Sequence, residues 1–148
     1  MKILILLVFT LSILNADLKV GEMFPHFALK DQFEKNVEIP TKGRVSIIVS
    51  FEKDISESMQ QFLSSKDKNF LSINSAIYIA DVSAAPSFIF NLMVMPKLKE
   101  LPYSMALIHD DKSELFNRKD KKISLFKLKN GQIVSIDFIG IEELGSSL

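Results

Sequence analysis

The sequence predicts an α/β domain: a central mixed sheet with helices on both faces and an antiparallel hairpin at its C-terminal end. Two runs rich in β-branched residues, Arg44 to Phe51 and Ser75 to Val82, have the continuous apolar character of strands buried on both faces. Each precedes a stretch whose apolar residues recur at helical spacing. Asn130-Gly131 then separates two further strand-like runs, and this dipeptide marks a hairpin because both central residues of a type I′ turn need positive φ.

The first sixteen residues are set apart from the fold. Lys2 provides a positive start, Ile3 to Leu14 are apolar except for Thr10 and Ser12, and Asn15-Ala16 offers a small residue before a cut. This pattern predicts a secretory signal peptide over residues 1–16 and a mature domain over 17–148. The apolar run falls short of the roughly 20 residues a membrane span needs, and an uncleaved N-terminal anchor is the alternative. The expected compartment is the periplasm.

From Asp17 onward there is no repeat, low-complexity tract or linker, so one domain is expected. Gly21 to Gln32 forms a loop entering an alternating strand with Phe27 and Leu29 on one face, against which Val37 and Ile39 pair back. Arg44 to Phe51 is the first buried strand. A helix follows, with Asp54 as cap, Glu57 closing a capping box, and Ile55, Met59, Phe62 and Leu63 on the sheet-facing side. Ser75 to Val82 is the second buried strand. The next helix starts near Pro86, and Phe88, Ile89, Leu92, Met93 and Met95 line it until Pro96, which lacks an amide hydrogen and should kink or end it. At helical spacing this stripe reads as core, with an exposed partner groove as the competing reading. A strand from Tyr103 to His109 follows, then a polar stretch with one helical turn around Glu114 to Asn117. Ile123 to Lys129 and Gln132 to Ile139 are the hairpin arms, and Ile141 to Leu144 closes the chain as a short helix.

Composition removes several function classes. Eighteen basic residues balance eighteen acidic ones, so no net field steers the chain toward nucleic acid. Hydrophobic residues make up 47%, with twelve Phe, which argues for a packed core over disorder. There is no cysteine, which excludes disulfides, thiol catalysis and lipid attachment through an N-terminal cysteine. Two isolated histidines match no zinc pattern, and His109-Asp110-Asp111 reads as a polar strand end. None of the five glycines forms a dinucleotide or phosphate loop, so no cofactor is expected.

The segment Gly21-x-x-Phe24-Pro25-x-Phe27-x-Leu29-x-Asp31 resembles the N-terminal segment of peroxiredoxins and exported thioredoxin-like proteins. The strand Val45 to Phe51 with the helix after it is similar to the strand and helix that carry their redox motif. Proline-preceded Tyr103 to Asp111, a polar stretch and the Asn130-Gly131 hairpin complete the likeness, which covers most of residues 20 to 140. The resemblance implies a thioredoxin-like fold with Ser56 and Met59 where two cysteines would stand. It also puts Lys121-Lys122 before Ile123 in place of the usual proline. Ala84-Ala-Pro86 and Leu101-Pro-Tyr-Ser104 resemble the YtfJ family of exported bacterial proteins, which lack a working cysteine pair.

Carried over, the likeness implies a redox-inactive interaction module facing an envelope protein, with Asp54, Ser56, Glu57 and Lys122 as the ligand- or partner-binding residues. Capping is the plainer reading of Asp54 and Glu57. The alternative is an enzyme with non-thiol chemistry at the helix start around Ser56. That nucleophile would need a base, and His26 and His109 are the only imidazoles.

Overall fold

The computed structural model describes residues 17–26 and 28–148. The expected signal segment and Phe27 lie outside the described residues. Seven strands form one sheet: β1 (Leu29–Asp31), β2 (Asn36–Val37), β3 (Arg44–Ser50), β4 (Ala76–Asp81), β5 (Ala106–Ile108), β6 (Ile123–Lys129) and β7 (Gln132–Ile139). Their spatial order is β2-β1-β5-β4-β3-β6-β7. β3, β4 and β5 run parallel, and antiparallel pairs flank them on both sides. Val37 pairs with Leu29 as expected, while Ile39 lies past the end of β2.

The helices are α1 (Lys53–Ser64), α2 (Phe70–Ile73), α3 (Ser87–Ile89), α4 (Met95–Leu98) and α5 (Ile141–Ser147). They cover the two faces unequally, and topology explains why. β3, β4 and β5 are adjacent in chain order, so two successive right-handed crossovers put their helices on the same side of the sheet. Met59 and Leu63 of α1, Leu71 of α2, Met95 and Leu98 of α4 and Leu144 of α5 all join one cluster with Ile48, Tyr78 and Leu107. Among the described residues the opposite face carries one 3₁₀ turn (Asp111–Leu115) and the segment ahead of β1. There Phe24, Phe116 and Phe126 meet edge-on or tilted, with centroids 5.7 to 5.9 Å apart, in one cluster with Ile47, Val49 and Ile79.

Pro96 does not end its helix. Between α3 and α4 lies a π-helical turn (Phe90–Val94), in which the Met95 amide reaches back to the Phe90 carbonyl. The wider turn absorbs the proline ring, and the helix runs on to Leu98. The same turn rotates the apolar stripe. Phe90, Met95 and Leu98 point into the core, whereas Phe88, Ile89, Leu92 and Met93 are 76%, 47%, 65% and 62% exposed. The expectation that this stripe lines the core is thus corrected for all but Met95, because the extra residue per turn breaks the 3.6 period on which it rested.

The hairpin bounds match the sequence reading. Asn130 and Gly131 have φ of 51° and 79°, the left-handed values the turn demands. A Cβ on Gly131 would also meet the Met23 methyl at 2.9 Å. The N-terminal segment packs along the outer edge of β7, with Gly21 N donating to Ile133 O, Ile133 N to Glu22 O and Phe24 N to Gly131 O, each at 2.8 Å. That cover removes part of an open sheet edge.

Candidate functional site

The parallel strands β3 and β4 point their C-terminal ends toward one end of the sheet, and β6 begins there because it runs antiparallel to β3. Three segments therefore converge by topology: the start of α1 after β3, the stretch from Asn117 to Lys122 before β6, and the α3 region after β4. Ile55 of the first segment and Val82 and Ala85 of the third pack against the same core cluster, which also holds Phe90.

The α1 start and the pre-β6 stretch are joined by a hydrogen bond from the Lys121 amide to Glu52 Oε1, at 2.7 Å. Lys121 sits at φ 57°, a left-handed turn conformation that aims its amide at the helix. Glu52 is the N-cap residue of α1, and its side chain makes no bond to the helix amides, since the carboxylate is engaged by Lys121. The predicted capping box of Asp54 and Glu57 is therefore absent. The helix begins at Lys53, one residue ahead of Asp54, so Asp54 lies inside the first turn and accepts from the Ile55 amide at 3.0 Å. Glu57 instead faces Lys53 at 3.8 Å on the solvent side.

Ser56 turns inward. Its hydroxyl lies 2.8 Å from Ser50 Oγ, which lies 2.8 Å from the Tyr78 hydroxyl, and Ser50 and Tyr78 are fully buried. Burial pushes the Tyr78 phenol up to about 12, against the opposing influence of the Ser50 and Ser56 hydroxyls. All three groups are thus neutral at pH 7 and satisfy one another. A neutral phenol is no general base for Ser56, and neither His26 nor His109 joins the chain of hydroxyls. His109 instead sets its ring edge-on against Phe90, with centroids 5.1 Å apart. The chemistry this arrangement supports is a satisfied polar brace beneath the α1 start. Met59, three residues beyond Ser56, is buried in the core.

Lys122 is half-buried, with its amide donating to Lys119 O at 3.1 Å. The Glu52–Lys121 bond brings it beside the α1 start, so Asp54, Ser56, Glu57 and Lys122 belong to one end of the molecule. Asp54 and Glu57 face solvent while Ser56 faces the protein. Arg118 closes the far side, stacking its guanidinium 4.4 Å from the Phe51 ring and donating to Ser113 O at 2.9 Å. Asp110 engages the Lys112 ammonium and amide, and those bonds hold its carboxyl below the usual range. Among the described residues no group of three or more His, Asp or Glu side chains is arranged to hold a metal.

Sequence reasoning missed Ser50, Tyr78, Asp31 and Gln32. Polar residues interrupting apolar strand runs were the available signal for the first two. Gln32 is fully buried, donating to Leu98 O and Tyr103 O and accepting from the Met105 amide at 3.0 Å. Buried Asp31 accepts from the Phe33 and Lys35 amides and the Ser104 hydroxyl. Burial opposes its charge, but these donors outweigh it and hold the carboxyl below its ordinary value. Both residues fasten β1 to the segment entering β5.

Compared by sequence, the chain matches no family model and no curated protein. Solved structures do resemble it. The thioredoxin domain of a thiol-disulfide oxidoreductase from Bacteroides vulgatus superposes with a TM-score of 0.58 at 14% identity, covering 88% of this chain and 95% of that one. A putative protein disulfide isomerase from Bacteroides thetaiotaomicron gives 0.55 at 17% identity, over 87% and 85% of the two chains. A peroxiredoxin-like protein from Aquifex aeolicus gives 0.53 at 10% identity, over 88% and 86%. Likeness at such identities is likeness of fold, and the fold is thioredoxin-like.

Proposed function

We propose that this cysteine-free chain is an exported, redox-inactive thioredoxin-like protein that serves as a protein-interaction module in the periplasm. The single observation that carries this reading is the exposed stripe Phe88, Ile89, Leu92 and Met93 on the helical segment that follows β4. Four large apolar side chains at adjacent positions are costly to leave in water, and such patches mark contact surfaces. Two of the four are aromatic or Met, types that suit adaptable interfaces.

Asp54 and Glu57, exposed on α1, and half-buried Lys122 supply the charged contacts of this reading, and Ser56 acts from beneath by holding α1 in place. The absence of cysteine removes the nucleophile of thiol exchange and peroxide reduction from the chain itself. Export rests on the N-terminal signal pattern, and the likeness of Ala84-Ala-Pro86 and Leu101-Pro-Tyr-Ser104 to YtfJ-like proteins supports the same compartment. Among the described residues no helix is long and apolar enough to cross a membrane.

The experiment is site-specific photo-crosslinking in intact cells, with the crosslinker at Leu92 or at Lys42, which lies in the exposed loop before β3. A discrete adduct from Leu92, lost in Phe88→Ser and absent from Lys42, is expected in the periplasmic fraction. Equal labelling from both positions, or recovery of the chain in the cytoplasm, overturns the reading.

A further inference from the structure

At the opposite end of the sheet, three cations gather where the strand pairing gives no reason for them. Arg44 at the start of β3 stands directly across from Lys129 at the end of β6, and Ser46 stands across from Lys127. Residues in register, and those two apart on one strand, share a sheet face, so Arg44, Lys127 and Lys129 project to the same side. Like charges placed directly opposite each other destabilise an antiparallel pair.

None of the three cations has a carboxylate partner among the described residues. The ion pairs there are Lys30–Glu34, Lys53–Glu57 and Lys112–Asp110, all elsewhere. The three cations line a cleft of about 640 Å³, a size that suits a small-molecule ligand. No Asp or Glu lines it. Its walls are mixed: Ser46, Asn74 and Ser75 stand beside two exposed aliphatic side chains, Ile73 at the end of α2, 74% exposed, and Val134 on β7, 48% exposed. Unpaired positive charge beside exposed aliphatic walls is a two-part recognition pattern. A cation cluster alone would suit any anion, but Ile73 and Val134 gain only if the ligand brings apolar surface.

We infer that this cleft binds an anionic amphiphile, a phosphate group carrying an apolar chain. Arg44, Lys127 and Lys129 hold the phosphate, and Ile73 and Val134 hold the chain. Arg44 offers the planar fork that matches two phosphate oxygens, and the lysines act as point charges. The site is independent of the surface proposed above, because it lies at the other end of β3 and shares no residue with it.

The test is an NMR titration of the full chain with octyl phosphate below its micelle concentration, and separately with inorganic phosphate and with phosphatidylglycerol vesicles. Octyl phosphate should shift the amides of residues 44–46, 73–75 and 127–129 and bind at least tenfold tighter than inorganic phosphate. Competition between vesicles and octyl phosphate would assign the headgroup to a membrane lipid, and octyl phosphate binding without vesicle binding would assign it to a free amphiphile. Either result supports the site. Lys127→Gln/Lys129→Gln should weaken octyl phosphate binding at least tenfold while raising the melting temperature of the unliganded chain, as repulsion is relieved. Val134→Ser should weaken octyl phosphate binding with little effect on inorganic phosphate. Absence of shifts in the cleft with both octyl phosphate and vesicles, or equal affinity for octyl and inorganic phosphate, overturns the proposal.

Discussion

The Glu52 carboxylate accepts the Lys121 amide across 69 positions of sequence at 2.7 Å, and through this bond the loop ahead of β6 is held against the start of α1. Replacing Glu52 by Ala leaves the Lys121 amide without its acceptor and frees the α1 N-cap. The bond is solvent-exposed, so a loss of about 1 kcal/mol or less is expected, concentrated locally. Hydrogen exchange should show the Lys121 amide losing protection while β3 and β6 keep theirs. Unchanged protection at Lys121 would contradict the role assigned to Glu52.

Tyr78 and Ser50 form the brace beneath that corner. Ser50→Ala removes the hydroxyl 2.8 Å from the buried Tyr78 phenol and should cost about 1–3 kcal/mol, whereas Tyr78→Phe leaves Ser50 still bonded to Ser56 and should cost less. Urea denaturation of the two variants decides the order. The reverse order would mean that Ser56 does not satisfy Ser50.

Alkali should unfold the protein through its tyrosines. Burial pushes both Tyr78 and Tyr103 up to about 12, above the ordinary value near 10. A raised folded value gives a contribution that is fully present below pH ~10 and is lost as pH rises toward 12, because the unfolded phenol ionises first. Melting temperature should fall across that window, and the fall should be shallower in Tyr78→Phe. A melting temperature flat from pH 10 to 12 would contradict the burial of both phenols.

The acid side is governed in part by Asp31. Its depressed folded value means that its contribution is present above the unfolded value near 3.9 and is lost as pH falls through the lower folded value. Asp31→Asn should lower stability by about 1 kcal/mol at pH 7 and flatten the loss below pH ~4. Parallel melting curves for both proteins at every pH would sink this assignment.

The exposed stripe should contribute nothing to folding. Phe88→Ser/Leu92→Ser is expected to change stability by no more than about 0.5 kcal/mol per site, as for surface positions, while reducing binding of a hydrophobic dye. A loss of several kcal/mol would show that the two side chains are core.

Much of the fold was legible in the sequence because local chemistry dictated it. The hairpin followed from the φ needs of Asn130 and Gly131, and the sheet-facing side of α1 followed from the spacing of Ile55, Met59, Phe62 and Leu63. The exposed stripe was misread because a π turn changed the helical period ahead of Pro96, and periodicity cannot register an inserted residue. The capping box failed for a different reason. Asp54 and Glu57 have the right spacing, but Glu52 takes the cap position once its carboxylate is drawn to Lys121, a partner no local window contains. Gln32 was hidden likewise, since its acceptors and donor lie 66 to 73 residues away.

The shared corner requires the α1 start to face the stretch ahead of Ile123, and the most direct measurement is a nuclear Overhauser spectrum of the labelled chain. A cross-peak between the Lys121 amide proton and the Glu52 side-chain methylenes, with slow exchange of that amide, is predicted. A rapidly exchanging Lys121 amide with no cross-peak to Glu52 would contradict the shared corner and the interaction surface built on it.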